Sequence, residues 1–264
     1  MLEVKNIYKT FNPGTVNEKH ALNGVSLKLK EGDFVTVIGS NGAGKSTLLN
    51  AIAGLWMIDS GSICIDGNDI TRLPDYKRAR YIGRVFQDPM QGSAATMQIE
   101  ENMALAARRG KKRTLRKGIC QSEREKYREM LKELNLGLEE RLTSKVGLLS
   151  GGQRQALTLL MATMEKPRLL LLDEHTAALD PKTAAKVLEL TEKLVNENHL
   201  TTFMVTHNMR DALKYGNRLI MMCDGKIIFD VEGEEKKKLT VEKLLHQFEV
   251  VSGEEFASDK AILG

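Results

Sequence analysis

The chain has 264 residues, of which 42% are hydrophobic and 28% are charged, and it carries a formal net charge of +4. This composition is typical of a globular domain and excludes a disordered or fibrous protein. A chain of this length buries enough apolar surface to fold without cross-links. Its apolar stretches, such as 51–58 and 169–172, are far shorter than the roughly 20 residues of a membrane span. The acidic start of the chain does not predict an export signal.

Hydrophobic patterning predicts an α/β chain. Residues 34–38 form a continuous apolar and β-branched run, which is typical of a strand buried on both faces. Asp180 followed by Pro181 is typical of the start of a helix. The predicted strands, in chain order, lie at 25–29, 34–38, 62–65, 81–86, 169–172, 201–205 and 219–222. The predicted helices lie at 46–53, 121–136 and 181–196, with a further helix and a loose tail near the C-terminus.

A helix-rich stretch at 89–166 interrupts the alternation of strands and helices. It is rich in Glu, Lys, Leu and Met and has almost no β-branched runs. We therefore expect a single domain, 1–264, whose α/β core consists of 1–88 and 167–232. The stretch 89–166 is predicted to form an inserted helical subdomain, and 233–264 a C-terminal helix and tail.

A glycine-rich segment between the predicted strand 34–38 and the predicted helix 46–53 fits the P-loop pattern of glycine, four residues, glycine, lysine and serine. Its glycines let successive backbone N–H groups point at phosphate oxygens, and the start of the helix adds a favourable dipole. Lys45 is placed to reach the terminal phosphates, and the Ser46 hydroxyl to ligate Mg²⁺. The residues predicted to bind the nucleotide here are Gly39, Ser40, Asn41, Gly42, Ala43, Gly44, Lys45, Ser46 and Thr47.

Two acidic residues follow the predicted strand at 169–172. A carboxylate at the C-terminal end of a strand can hold Mg²⁺ through water, which we predict for Asp173. Glu174 is suited to polarise an attacking water as a general base. Two acids after a strand indicate little alone, but together with the P-loop they predict nucleotide hydrolysis.

The segment Leu149-Ser150-Gly151-Gly152-Gln153 points to a family. With the motifs above, in the same order, it resembles the signature of the ATP-binding subunits of ABC transporters, and the resemblance covers nearly the whole chain. It implies an α/β fold, in which a P-loop NTPase core with a mostly parallel sheet carries an N-terminal antiparallel β subdomain and an inserted α-helical subdomain. It also implies that Ser150, Gly151, Gly152 and Gln153 form a second phosphate cradle, which serves the ATP of the partner subunit in a head-to-tail homodimer.

Further residues match functional positions of this family one at a time. Gln87 resembles the Q-loop glutamine that contacts Mg²⁺ or the attacking water, and His207 resembles the switch histidine that senses the γ-phosphate. Asp180 resembles the D-loop aspartate, which caps a helix and also reaches across the dimer. The family stacks an aromatic residue on adenine; Tyr8 and Phe11 are both candidates, and spacing to the first strand favours Phe11.

His175 departs from the family pattern, because most members carry proline at this place. One interpretation is a tolerated substitution at the surface. The other is a marker of a subgroup, or a histidine that tunes Glu174 by titrating between pH 5 and 8.

A run of basic residues lies in the helix-rich stretch, where seven of the ten residues from 108 to 117 are Lys or Arg. Such a run is typical of a solvated, self-repelling loop. Contact with anionic lipid head groups is the alternative. A nucleic-acid patch is disfavoured, because no aromatic residue is interleaved with the charges.

The resemblance implies an ATPase that uses ATP and Mg²⁺ to power solute transport through separate integral-membrane permease subunits. The catalytic residues it implies are Lys45, Gln87, Glu174 and His207, with Ser46, Gln87 and Asp173 at the metal. Similarity of 86–102 to subunits of small-solute uptake systems favours import, with an extracytoplasmic solute-binding protein as a further partner. The histidine at 175 resembles a variant found in a subgroup of importers for amino acids, and this resemblance implies amino acids as cargo. We expect the chain at the cytoplasmic face of the cell membrane, without a nucleic-acid partner; the alternatives are a soluble ABC-type ATPase not linked to transport and a subunit of an exporter.

Overall fold

The computed structural model describes residues 1–111 and 118–252. The strands within these ranges are β1 (Leu2–Phe11), β2 (Lys19–Leu29), β3 (Phe34–Gly39), β4 (Ser60–Ile65), β5 (Asn68–Asp69), β6 (Ile82–Val85), β7 (Leu169–Asp173), β8 (Thr201–Val205), β9 (Arg218–Cys223) and β10 (Lys226–Glu232). The α-helices are α1 (Lys45–Ala53), α2 (Asp75–Arg78), α3 (Ile99–Ala107), α4 (Gln121–Lys132), α5 (Gly151–Thr163), α6 (Pro181–Asn198), α7 (Met209–Lys214), α8 (Glu234–Lys237) and α9 (Val241–Ser252). None of the described helices combines the length and the hydropathy of a membrane span.

The chain divides into two compact units, of which the first joins Met1–Pro74 to the residues from Thr201 onward. An antiparallel sheet in the order β2-β1-β4-β5 forms one part of this unit. In the other part β3 pairs in parallel with both β8 and β9, and β10 adds to β9 in antiparallel orientation. The predicted combination of an N-terminal antiparallel sheet with parallel strands is confirmed.

The second unit, Asp75–Leu200, contains the parallel strands β6 and β7 and the helices α2 to α6. The side chains of Leu169–Leu172 in β7 are fully buried, as their continuous apolar run predicts. Apolar residues of α3, α4 and α5, together with Leu138 after α4, pack into a separate core, which includes Met103, Tyr127, Leu131 and Leu157. The prediction that the stretch 89–166 is rich in helices is therefore confirmed for its described residues.

In the first unit the strand before the P-loop is held from one face by apolar residues. Ile38 of β3 packs in a cluster with Leu219 and Met221 of β9 and with Leu244 and Phe248 of α9. Because β3 is buried along nearly its whole length, the loop that follows it starts from a fixed point.

Most predicted elements agree with the structure within a few residues, and the exceptions have local causes. The helix predicted at 121–136 ends at Lys132, and it cannot continue to 136 because Asn135 has a φ of 52°, which a right-handed helix does not allow. The sequence pattern does not predict strands β1, β5 and β10 individually; β10 has half-exposed side chains and little apolar alternation. The predicted boundaries of the α/β core, at residues 88 and 167, are not the limits of the two compact units, and they stay a prediction.

The basic run lies partly outside the described residues, at 112–117. Of its described members, Arg108 donates to the carbonyl oxygen of Ala104 at 2.8 Å and pairs with Glu123 at 3.0 Å. Arg109 donates to the carbonyl oxygen of Ala162 at 2.9 Å, and burial lowers the pKa of its guanidinium. At least these two residues are packed on the protein rather than freely solvated.

Candidate functional site

The P-loop lies between the end of β3 and the start of α1, and its shape requires glycine. Gly39 and Gly44 have φ values of 152° and 98°. A Cβ at Gly39 would lie 2.3 Å from the carbonyl oxygen of Met222, and one at Gly44 would lie 2.5 Å from the carbonyl oxygen of Ala21. Side chains cannot be accommodated at either distance, so the loop is tightly packed against the backbone of its own unit.

Lys45 points its ammonium group back into this loop. Its Nζ donates to the carbonyl oxygens of Gly39 at 2.7 Å and Ser40 at 2.9 Å, and the side chain is only 5% exposed. The positive charge is thus held at the concave backbone turn that the motif provides for phosphate. Ser46, in the first turn of α1, is exposed, so its hydroxyl is accessible to a ligand.

The two aromatic candidates near the N-terminus have different surroundings. Phe11 contacts Trp56 edge to face, with ring centroids 5.4 Å apart and planes at 84°, and Lys9 Nζ lies 5.6 Å from the Phe11 centroid. The Tyr8 hydroxyl instead lies against Gly24 of β2, 3.0 Å from the place of a Cβ there. Both residues remain candidates on this geometry, and Phe11 is the one in an aromatic pair.

A lysine that the sequence reasoning missed connects Phe11 with the P-loop. Lys19 is the cross-strand partner of Phe11 in the β1–β2 pair. Its Nζ lies 3.1 Å from the place that a Cβ of Gly42 would occupy. The signal for Lys19 was available only through strand register, because nothing in the local sequence separates it from other exposed lysines.

His207 leaves the same edge of the parallel strands as the P-loop. Val205 at the end of β8 is the register partner of Val37, two residues before Gly39. The Thr206 N–H continues the pairing by donating to the Val37 carbonyl oxygen at 3.1 Å. The following residue, His207, is exposed at this edge. The first unit therefore brings together the P-loop, Phe11, Lys19 and His207.

In the second unit, Asp173 at the end of β7 is held by an arginine. Arg84 Nη2 donates to Asp173 Oδ2 at 3.2 Å, and the Arg84 guanidinium lies 4.4 Å from the centroid of the Phe86 ring. Burial lowers the pKa of Arg84, and the Asp173 carboxylate opposes that effect. The carboxylate of Asp173 is thereby kept in a fixed orientation.

Glu174 and Gln87 follow strands that end side by side. Val85 of β6 is the register partner of Leu172 in β7, so the exposed Gln87 and the half-buried Glu174 lie two residues beyond that pair. Gln155, fully buried on α5, donates its Nε2–H to the carbonyl oxygen of Phe86 at 3.1 Å and so fixes the backbone before Gln87.

The signature segment caps α5 with its own side chains. Ser150 Oγ accepts from the Gln153 N–H at 3.3 Å, while Gln153 Oε1 accepts from the Ser150 N–H at 3.2 Å, which is a capping box. Gly151 and Gly152 follow as the first residues of the helix. A Cβ at Gly152 would lie 2.2 Å from Thr183 Cγ2 on α6, so this glycine also serves close helix packing.

Asp180 caps α6, as predicted. Its carboxylate accepts from the Thr183 N–H at 3.0 Å, and these hydrogen bonds lower the pKa of Asp180. The start of α6 thus lies beside the start of α5, since Thr183 also contacts Gly152. The second unit places Ser150 and Asp180 at adjacent helix starts.

The structure corrects two interpretations of His175. The side chain is 2% exposed, so the residue is not a surface substitution. Its Nε2 lies 3.0 Å from Thr191 Oγ1 on α6. Burial lowers the pKa of the imidazole from 6.5 to about 4, so it does not titrate between pH 5 and 8. Its meaning as a subgroup marker stays a prediction.

Each unit offers groups whose chemistry suits a magnesium nucleotide. In the first unit Ser46 offers a hydroxyl oxygen, and in the second Gln87 and Asp173 offer amide and carboxylate oxygens, which are the kinds of ligand that Mg²⁺ prefers. The glycine loop before α1 leaves no room for a Cβ at Gly39 or Gly44 and presents a helix N-terminus, as a phosphate site requires. The individual roles of these residues stay predictions.

Comparison with known proteins agrees with these features. The sequence family described as ABC transporter matches residues 22–177. A tyrosine transport ATP-binding protein of Clostridioides difficile (strain R20291) is 47% identical over 250 residues, which cover 94% of this chain and 99% of that protein. A macrolide export ATP-binding/permease protein, MacB, of Mannheimia succiniciproducens is 38% identical over 88% of this chain and 35% of that protein.

Solved structures show the same fold. The dimeric structure of a post-hydrolysis state of an ATP-binding cassette bound to ADP and Pi matches with a TM-score of 0.74 and 34% sequence identity. The match covers 88% of this chain and 98% of that one. The fold class inferred from the sequence is therefore confirmed.

Proposed function

Because the chain belongs to the ABC transporter family as an ATP-binding subunit, we propose that it binds ATP with Mg²⁺, hydrolyses it in a homodimer and thereby drives amino acid import through a separate membrane permease. One observation carries the proposal: two helices, α1 and α5, each begin within a glycine-containing motif. One nucleotide needs one such cradle. A chain that has two is suited to a head-to-tail dimer, in which each subunit offers its second cradle to the ATP of its partner.

In this proposal the first unit binds the nucleotide. Backbone N–H groups of the P-loop donate to the phosphate oxygens, and Lys45 exchanges its two carbonyl partners for β- and γ-phosphate oxygens. Phe11 stacks on the adenine, with Trp56 supporting its ring from the side. Lys19 adds a positive charge next to Gly42 and favours the anionic ligand.

Hydrolysis depends on Glu174. Its carboxylate accepts a proton from the attacking water, Gln87 orients that water, and His207 donates to the γ-phosphate. Ser46, Gln87 and Asp173 would hold Mg²⁺, which would neutralise charge on the phosphates. Ser150 and the first N–H groups of α5 bind the γ-phosphate of the partner's ATP, and Asp180 contacts the partner subunit.

Replacing Glu174 by glutamine tests the proposal. The variant keeps the shape of the side chain but cannot accept the proton, so it should accumulate as an ATP-bound dimer. Only ATP, through its γ-phosphate, links the two subunits, and a ligand stabilises the state that it binds better. Size-exclusion chromatography of Glu174→Gln should show twice the monomer mass of 29.5 kDa with ATP, and the monomer mass with ADP.

Lys45→Ala is the matched control, since it removes the charge on the phosphates and should neither dimerise with ATP nor hydrolyse it. Hydrolysis by Glu174→Gln at nearly the wild-type rate would show that Glu174 is not the base. Loss of hydrolysis without dimerisation would show that closure needs the permease. Hydrolysis by Lys45→Ala within about tenfold of wild type would refute the role of the P-loop.

The assembled transporter is needed to test which class of solute is transported and in which direction. The similarity to a tyrosine transport ATP-binding protein supports an amino acid as cargo, and a position at the cytoplasmic face of the membrane follows from that role. Co-purification should recover an integral-membrane permease and, for an importer, an extracytoplasmic binding protein. Proteoliposomes with this complex should take up labelled tyrosine only when ATP is on the side of this chain. Movement in the opposite direction would favour export, which the similarity to MacB makes the second candidate.

A further inference from the structure

Glu174 has a backbone conformation that its own side chain does not favour. Its φ of 45° lies in the left-handed region, where a Cβ crowds the following carbonyl oxygen. Such conformations persist where the neighbouring residues enforce them, and they are concentrated at functional sites. The residues on either side of Glu174 must therefore be held in place.

The residue before Glu174 is fixed by the sheet. Asp173 is the last residue of β7, whose register with β6 extends to Val85 and Leu172. Its side chain is also held by Arg84 at 3.2 Å. The N-terminal side of the strained residue thus has a rigid support within its own unit.

The residue after Glu174 is fixed by a buried hydrogen bond. His175 is 2% exposed and Thr191 is 1% exposed, and His175 Nε2 lies 3.0 Å from Thr191 Oγ1. The Thr191 hydroxyl donates its single proton to the carbonyl oxygen of Val187 at 2.8 Å. It therefore accepts from His175, so the ring carries its proton on Nε2.

This hydrogen bond ties the turn after β7 to the middle of α6. The same turn ends at Asp180, which caps the start of α6 through the Thr183 N–H at 3.0 Å. The segment 174–180 is thus fastened to one helix at two points. One of these points is directly adjacent to Glu174. A buried imidazole and a buried hydroxyl cost free energy unless they form hydrogen bonds, so apolar side chains would suffice here if only packing were needed.

We propose that His175 is a positioning residue, which through its hydrogen bond to Thr191 holds Glu174 in the left-handed conformation that places its carboxylate for proton abstraction. The inference rests on the proposed function of Glu174 as the general base. His175 itself contacts neither nucleotide nor water in this role. A looser turn would leave nucleotide binding intact and slow the chemical step, since small misplacements of a catalytic group cost rate.

The test uses Thr191→Val, which keeps the shape of the side chain and removes the acceptor, against Thr191→Ser, which keeps the hydroxyl. In the full-length protein, we expect Thr191→Val to lower kcat for ATP hydrolysis on the order of 10- to 100-fold, while KM changes less than about twofold. Thr191→Ser should restore kcat to nearly the wild-type value. Assays are run at a temperature where circular dichroism shows all variants folded. If Thr191→Val does not fold, His175→Gln, which keeps an N–H near the same place, and His175→Met replace the pair.

A double-mutant cycle separates positioning from general destabilisation. In the Glu174→Gln background there is no base to position, so Thr191→Val should not reduce the residual hydrolysis further. An equal loss in both backgrounds, or wild-type kcat in Thr191→Val, would overturn the role of His175. Wild-type hydrolysis by Glu174→Gln would instead refute the base itself, and the positioning role with it.

Discussion

Replacing His175 by glutamine should remove a component of the pH dependence of stability. In the folded chain the imidazole is buried, and its pKa is lowered from 6.5 to about 4. In the unfolded chain it titrates near 6.5. Between these values the unfolded state binds more protons, so stability is present above pH 6.5 and is lost as the pH falls toward 4. Glutamine stays neutral throughout and lacks this component.

The two pKa values give the size of the effect. Proton linkage with folded and unfolded pKa values of about 4 and 6.5 lowers the free energy of unfolding by about 2 kcal/mol between pH 7 and pH 5. For a chain of this size, each kcal/mol corresponds to roughly 2–4 °C in Tm. Wild type should therefore lose roughly 4–8 °C more than His175→Gln over this interval.

Thermal melts of both proteins at the two pH values measure the difference, because the other titrating groups are common to both and cancel. Ring-¹³C NMR of labelled histidine, with the His175 signal assigned by its absence in His175→Gln, measures the pKa directly. A midpoint above pH 6, or parallel loss of Tm in the two proteins, would refute the burial argument.

Three further substitutions test the other parts of the chain. Phe11→Ala should weaken ATP binding on the order of 5- to 150-fold by calorimetry, as expected for loss of a stacked base, whereas Tyr8→Ala should not; the reverse result would assign the platform to Tyr8. Gly152→Ala should lower the free energy of unfolding by about 1–3 kcal/mol, because the new Cβ would meet Thr183 Cγ2. Adding Thr183→Ser removes that methyl group and should restore Tm. No loss of Tm in Gly152→Ala would show that the α5–α6 contact is looser than described. Ser150→Arg should leave ATP binding to the monomer nearly intact but stop turnover, and loss of the helix cap should lower the free energy of unfolding by about 1 kcal/mol. A loss of ATP binding equal to that of Lys45→Ala would contradict the arrangement in which this cradle serves the partner subunit.

The fold class and the chain order of the motifs could be predicted from the sequence alone. Continuous apolar runs such as 34–38 and 169–172 became β3 and β7, because a strand buried on both faces needs such a run. The P-loop and the signature were readable because their conformation is local. Gly39 and Gly44 are required by their own backbone angles, and Ser150 caps α5 through a residue three positions away.

Features that depend on contacts between residues far apart in the chain could not be predicted from the sequence. His175 lies in the short segment between β7 and α6, and it is buried only because the fold places it against α6, where its Nε2 lies 3.0 Å from Thr191 Oγ1. Lys19 reaches Gly42 through the strand pairing of β1 with β2, which local sequence does not report. The left-handed conformation of Glu174 likewise has no sequence signal, because a glutamate adopts it only where its neighbours are held from both sides. Each of these properties arises from the environment that the fold builds around a residue, and residue type alone does not define that environment.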